Sequence, residues 1–154
     1  MTKHFAYGSN LWFEQMDYRC PQNAKVGIGL LEDFKWIISE RGYANIVESK
    51  GDYVLGFVFT ISESDEDALD VYEGVSSGSY TKEKKWIKGS DGKRKKCMLY
   101  IDRERIDEGN PKEEYIDRIN KGVKDGLNFK PQHPQKRTKA YVRKYIRKFI
   151  PKPS

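Results

Sequence analysis

Cysteine is scarce in this sequence of 154 residues, where only Cys20 and Cys97 occur. Their spacing matches no metal-binding pattern and no disulfide framework, which favours a reducing compartment. The first eight residues lack the apolar core of a secretion signal. No apolar run approaches the ~20 residues that a membrane-spanning helix needs. These absences predict a cytoplasmic protein and argue against a secreted, disulfide-stabilised domain.

Acidic residues are missing from the last part of the chain, because residues 127–154 contain no Asp or Glu. Nine of the 29 basic residues lie in that segment, so the remainder carries 20 basic residues against 23 acidic ones. The net charge of +6 therefore belongs to the C-terminal segment. Charge alone does not indicate a nucleic-acid-binding domain, and nucleic acid is not an expected partner.

The length and the 37% hydrophobic content predict one folded domain with a real core. The patterns predict strands at 3–7, 24–39 (two strands with a turn at 32–33), 44–47, 53–61, 79–88 and 95–101. They predict helices at 11–18, 64–73, 110–126 and 138–150. Asn10 is the predicted cap of the first helix, and a capping box from Ser64 to Asp67 opens the second. This mixture indicates an α+β protein with a sheet or barrel of largely consecutive strands.

The segment Tyr7–Leu11, with the sequence Tyr-Gly-Ser-Asn-Leu, lies between a predicted strand and a predicted helix. Successive backbone N–H groups at such a corner can converge on an anion, and a glycine lets a ligand approach closely. The same pattern also fits an ordinary strand–turn–helix connection. The local signal alone leaves both interpretations open.

Glu73 lies at a predicted helix end, next to Gly74 and among Tyr72, Val75 and Tyr80. Burial and the negative end of the helix dipole would both raise the pKa of its carboxyl group. A raised pKa suits a group that accepts and returns protons at neutral pH. A solvated glutamate at a frayed helix end is the alternative interpretation.

Taken together, Phe5–Leu11 and Leu69–Tyr80 resemble the two signature stretches of γ-glutamylcyclotransferases. The intervening strands 43–47 and 56–59 and the late helix 115–127 resemble that family in order and spacing. The resemblance covers roughly residues 3 to 128. Asn10 departs from the Tyr-Gly-Ser-Leu pattern of glutathione-specific relatives, which counts against glutathione as the substrate.

The resemblance implies a small mixed β-barrel flanked by helices, with a cavity at one end. It implies an enzyme that cyclises a γ-glutamyl amine or amino acid to 5-oxoproline, with Glu73 as the catalytic acid/base and no metal or other cofactor. The implied substrate-binding residues are Tyr7, Gly8, Ser9, Asn10, Leu11 and Tyr80. The alternative is a catalytically silent binding module of the same fold.

The C-terminal segment does not match the family pattern. We therefore divide the chain into a cyclotransferase-like domain at 1–128 and a basic linker with an accessory helix at 129–154. The apolar row Val142, Ile146 and Ile150 of this predicted helix needs a cover. Its own domain, a second subunit in a homodimer or a lipid surface could supply one. Docking on protein is the expectation, and a membrane partner is not expected.

Overall fold

The computed structural model describes residues 1–129; the predicted accessory helix lies outside them. The strands are β1 Thr2–Ala6, β2 Ala24–Ile38, β3 Ala44–Ile61, β4 Thr81–Gly89 and β5 Arg94–Ile101. The helices are α1 Phe13–Arg19, α2 Glu63–Tyr72 and α3 Glu113–Asn128, and a short 3₁₀ turn spans Ser9–Leu11. No helix in this part of the chain is long and apolar enough to cross a membrane.

The strands form a closed barrel in the order β1-β3-β2-β4-β5. Neighbouring strands are antiparallel except β1 and β5, which pair in parallel at His4 and Met98. The predicted α+β barrel flanked by helices is therefore confirmed. Closure places β1 between β3 and β5, and the loop that follows β1 emerges at one end of the barrel.

The core is packed with aromatic and aliphatic side chains, most of which are almost fully buried. Phe57 and Phe59 lie 4.9 Å apart between ring centroids, and the Phe13 ring of α1 meets both edge-on. Each such ring contributes roughly 1.5–3 kcal/mol by leaving water. Phe129 joins the cluster, with its ring 5.3 Å from that of Phe57. Phe129, which follows α3, therefore packs the end of this helix against the core.

The β2–β3 pair is longer than the sequence pattern predicted, because the predicted turn at 32–33 and the predicted gap between the strands 44–47 and 53–61 both lie inside continuous strands. Asp33 adopts a left-handed conformation with φ 64°, at a break in the pairing register between Glu32 and Phe34. Opposite it, the Gly51 N–H donates to the Asp33 carboxylate at 3.0 Å. The predictions of separate strands here were wrong, since this one irregularity leaves both strands paired on either side of it.

The helix starts differ from the predictions in three places. The capping box of α2 joins Ser62 and Asp65, because β3 ends at Ile61 and leaves Ser62 extended at the N-cap. The helix after β1 begins at Phe13, and Asn10 does not cap it. The late helix α3 begins at Glu113, after Lys112 rather than at Pro111.

Candidate active site

One end of the barrel holds a cavity of about 330 Å³. It is bounded by the loop after β1, the end of α2 and the turn between β2 and β3, and α3 contributes Tyr115 and Arg118. Of the site residues predicted from the sequence, six line it: Tyr7, Gly8, Ser9, Asn10, Glu73 and Tyr80. Segments that are distant in the sequence therefore meet around one small space.

Leu11 is the one predicted site residue that does not line the cavity, because its side chain is buried beneath it. It is fully buried in the core, and its N–H donates to the Gly8 carbonyl at 3.0 Å. Gly8 is packed so closely that a Cβ would lie 2.8 Å from the Tyr115 hydroxyl and 3.3 Å from the Ala44 Cβ. Glycine is therefore needed here to let the loop close on its neighbours.

Glu73 caps the C-terminal end of α2, where its N–H donates to the Leu69 carbonyl at 2.8 Å. Gly74 then turns the chain with φ 65°, a conformation that favours glycine. The residue as a whole is half-buried, but burial of its carboxyl group raises the pKa above the ordinary value. The positive charge of Arg19 and the Asn10 amide oppose that rise.

Asn10 connects the loop to Glu73. Its Nδ2 donates to Glu73 Oε1 at 3.2 Å, while its Oδ1 accepts from Gln15 Nε2 at 3.1 Å and from Arg19 Nη1 at 3.0 Å. Two donors on the carbonyl oxygen fix which way the amide points. The predicted cap is thus a side chain that orients the carboxylate. Gln15 in turn accepts from Arg118 at 3.1 Å.

Tyrosines form much of the remaining cavity wall. The Tyr80 hydroxyl donates to the Ala44 carbonyl at 3.3 Å, and the Tyr115 hydroxyl accepts the Ala44 N–H at 3.1 Å. The Tyr7 hydroxyl donates to the Tyr100 carbonyl. Burial raises the pKa of Tyr7, Tyr80 and Tyr115 well above the ordinary range. These hydroxyls therefore stay protonated at neutral pH, and Tyr7 and Tyr80 each donate their single proton to a backbone carbonyl.

Sequence reasoning missed several cavity residues. Arg19, Arg41, Tyr43, Tyr100 and Tyr115 all line the space, yet none carries a local sequence signal for a site. Tyr43 and Tyr115 are the first residues of the stretches 43–47 and 115–127, which the family resemblance had already marked, and Arg41 lies two residues before Tyr43. Those stretches were the available clue to these three residues.

The described residues contain no group of three or more His, Cys, Asp or Glu side chains arranged to hold a metal ion. Cys20 and Cys97 are both buried free thiols. Burial raises the pKa of Cys20 to about 12 and that of Cys97 to about 11. Neither thiol forms appreciable thiolate at neutral pH, so neither is suited to nucleophilic catalysis.

This chain is similar to known proteins of one family. The family model described as gamma-glutamyl cyclotransferase, AIG2-like, matches residues 4–120. A gamma-glutamylcyclotransferase of Mus musculus is 34% identical over 147 residues, covering 89% of this chain and 77% of the mouse protein. One of Homo sapiens is 32% identical over the same length, with the same coverage.

A solved structure described as a gamma-glutamyl cyclotransferase is similar to this chain with a TM-score of 0.71 and 26% identity. The similarity covers 96% of this chain and 98% of that one. The residues matched by the family model include the loop Gly8–Leu11 and Glu73. Both segments that line the cavity therefore fall inside the region of similarity.

Proposed function

The chain belongs to the gamma-glutamyl cyclotransferase, AIG2-like family, and we propose that it converts a small γ-glutamyl amine or amino acid to 5-oxoproline, releasing the amine. The observation that carries this proposal is the Glu73 carboxylate, held at the cavity wall by Asn10 with a raised pKa. A carboxylate of that kind can exchange protons near neutral pH.

The reaction uses groups that the substrate itself supplies. The α-amine nitrogen attacks the γ-amide carbonyl carbon, a new carbon–nitrogen bond closes the five-membered ring, and the bond to the leaving nitrogen breaks. Folding the substrate into this geometry makes the attack intramolecular, an advantage of several orders of magnitude in rate. No external nucleophile or cofactor is part of the proposed step.

Glu73 would move the proton between the two nitrogens. The α-ammonium must lose a proton before it attacks, and the leaving nitrogen must gain one before it departs. One carboxylate can do both in turn, a contribution of roughly 10²–10⁴-fold. The Asn10 amide aims the carboxylate, and Arg19 limits the rise of the Glu73 pKa, so that the base remains available.

The loop after β1 would hold the glutamyl part of the substrate. Gly8, Ser9 and Asn10 line the cavity, and donors of this loop would bind the carboxylate of the substrate or a developing oxyanion. Leu11 would act from beneath by fixing the loop in the core. The neutral hydroxyl groups of Tyr7 and Tyr80 would form the walls on either side.

We also propose that the enzyme works in the cytoplasm. Its two free thiols are suited to a reducing compartment. A γ-glutamyl compound of low molecular weight is the expected partner, and a cavity of about 330 Å³ is of a size that such a compound fills.

The test is to incubate the protein with a panel of γ-glutamyl compounds, to measure 5-oxoproline, and to repeat the assay with Glu73→Gln. We expect kcat on the best substrate to fall by roughly 10²–10⁴-fold, because Gln is nearly isosteric but carries no exchangeable acid proton. The wild-type rate should also fall as pH drops through the raised pKa of Glu73, since the base is then protonated.

Glu63→Gln is the matched control, because Glu63 is an exposed carboxylate at the opposite end of α2. It should retain the wild-type rate. Near-wild-type turnover by Glu73→Gln would rule out Glu73 as the acid/base residue. Binding of γ-glutamyl compounds without any 5-oxoproline would instead support the silent binding module.

A further inference from the structure

The hairpin of β4 and β5 concentrates positive charge. Residues 82–96 contain eight basic side chains and two acidic ones. The rest of residues 1–129 is left with 12 of the 20 basic residues and 21 of the 23 acidic ones. Positive charge is therefore gathered on one hairpin of a body that is otherwise acidic. A charge distribution of this kind creates a local field that attracts anionic partners.

The alternation of side chains along the strands places much of this charge on one face of the hairpin. Successive side chains of a strand point to opposite faces, and Ile87 is 1% exposed because it packs in the core. The opposite face, here called the basic face, consists of six exposed residues: Lys82, Lys84, Trp86, Lys88, Arg94 and Lys96. Across the two strands Trp86 pairs with Lys96, and Lys88 pairs with Arg94, so their side chains are neighbours.

Three lysines of the basic face have no acidic partner within residues 1–129. Lys82 and Arg94 form ion pairs with carboxylates of α2 and β2, respectively. Lys84, Lys88 and Lys96 form no ion pair in that part of the chain. Their ammonium groups are therefore available to an external anion, and salt should weaken that attraction because all three are exposed.

An aromatic ring lies among these charges. Trp86 keeps 59% of its surface exposed, and the Lys96 ammonium nitrogen lies 5.7 Å from the centre of its ring. Charge alone does not indicate a nucleic-acid-binding surface. Proteins that bind single strands combine cations for the phosphates with aromatic side chains on which the bases stack. The basic face has both elements.

We infer that the basic face binds single-stranded nucleic acid, with a base stacked on Trp86 and phosphates bound by Lys84, Lys88 and Lys96. Residues two apart on a strand are separated by about 6.6 Å, so cation, ring and cation follow one another along β4. Nucleic acid alternates anions and flat rings in the same way. An acidic protein segment supplies the anions without the rings. A lipid surface favours several exposed apolar side chains, whereas this face offers one indole.

The basic face lies apart from the cavity. Tyr80 and Tyr100 line the cavity at the end of the hairpin where Thr81 pairs with Ile101. The basic face extends from there towards the turn at 90–92, and none of residues 82–96 lines the cavity. Substitutions on this face should therefore leave 5-oxoproline formation unchanged. The inference does not depend on the proposed function.

The test measures fluorescence anisotropy of a labelled single-stranded RNA of about 12 nucleotides, within the site sizes of single-strand binders, titrated with the full chain. We expect the single strand to bind more tightly than its duplex, because its bases are free to stack. Trp86→Ala should weaken single-strand binding by roughly 5- to 100-fold, the range for loss of one stacked base. Trp86→Phe should retain most of the affinity, since a phenyl ring can still stack.

The salt dependence tests the lysines separately. The slope of log K against log salt concentration should become shallower by about 0.7 in Lys88→Gln, because one phosphate contact is lost. Lys124→Gln is the matched control, since it removes an exposed lysine of α3 that is not part of the basic face, and it should keep the wild-type slope. Thermal melting should show that each of these variants is folded, because the substituted side chains are exposed.

Several results would overturn the inference. Wild-type affinity in both Trp86→Ala and Lys88→Gln would move any RNA binding to the basic C-terminal segment. Equal affinity for single strand and duplex would exclude stacking on Trp86. Tighter binding of polyglutamate or of phosphatidylserine vesicles than of RNA would assign the basic face to an acidic protein or to a lipid surface. Absence of RNA binding at about 50 mM salt, where phosphate contacts are strong, would also refute it.

Discussion

Gly122 of α3 packs directly against the loop that forms one wall of the cavity. A Cβ at this position would lie 2.4 Å from Leu11 Cβ, 2.5 Å from the Leu11 carbonyl carbon and 2.6 Å from Trp12 N. Ordinary contacts begin near 3.4 Å, so Gly122→Ala requires the helix or the loop to move by about 1 Å. None of these atoms is the end of a flexible side chain, so a rotamer change cannot relieve the contact.

Two opposing effects decide the stability of Gly122→Ala. Alanine favours a helix interior over glycine by about 1 kcal/mol, whereas overpacking typically costs about 1–3 kcal/mol. Because the contacts here are to backbone and Cβ atoms, we expect the upper part of that range and a net loss of about 1–2 kcal/mol. For a chain of this length the loss corresponds to a fall in Tm of roughly 2–8 °C.

The same displacement should reach the chemistry. Tyr115 lies on α3 and the loop carries Asn10, so both would move relative to Glu73. A misplacement of about 1 Å can lower the rate by roughly 10²-fold. Thermal melting, urea unfolding and kcat/KM for 5-oxoproline formation measure these effects, with the exposed Lys124→Ala on the same helix as the control. A Gly122→Ala protein as stable and as active as wild type would show that this packing does not set the loop.

Two further predictions concern stability and the C-terminal segment. Burial lowers the pKa of His4 from 6.5 to about 4. The unfolded chain therefore binds this proton more tightly than the folded protein does, and the free energy of unfolding falls as pH drops from 6.5 to 4, by up to about 3 kcal/mol. Urea unfolding across this range should show the loss and His4→Gln should reduce it; identical pH profiles would contradict the assignment. Truncation after Phe129, which keeps the ring that packs on Phe57, should leave a soluble and fully active protein in size and activity measurements. Lost activity with an intact fold would mean that the segment shapes the cavity.

The two segments of the site could be predicted from the sequence because together they resemble a known family, although the local signal of each left a second interpretation open. A glycine after β1 and a glutamate followed by glycine at a helix end are readable from neighbouring residues, and both segments line the cavity. The partnership between Asn10 and Glu73 could not be predicted in this way, because 63 positions separate the two residues. The same holds for Arg41 and Tyr115, which the barrel brings to one end.

Local signals also left the strand boundaries ambiguous. Asp33 and Gly51 are residues of types that are common in turns, so the pattern around each predicts a break in the strand. A hydrogen bond between them instead spans a bulge, and β2 and β3 are paired on both sides of it. The α2 cap shows the same limit: Ser62 and Ser64 each precede an aspartate by three residues, and only the end of β3 decides which serine caps. Tertiary pairing settled what the pattern could not.

The turn between β2 and β3 has a consequence for how substrate range could change over evolution. Arg41 and Tyr43 lie in this turn, whereas Glu73 and Asn10 come from α2 and from the loop after β1. Mutations in the turn can thus alter what this wall of the cavity accepts while Glu73 and Asn10 stay in place. A lineage with this barrel could diversify its substrates one short connection at a time.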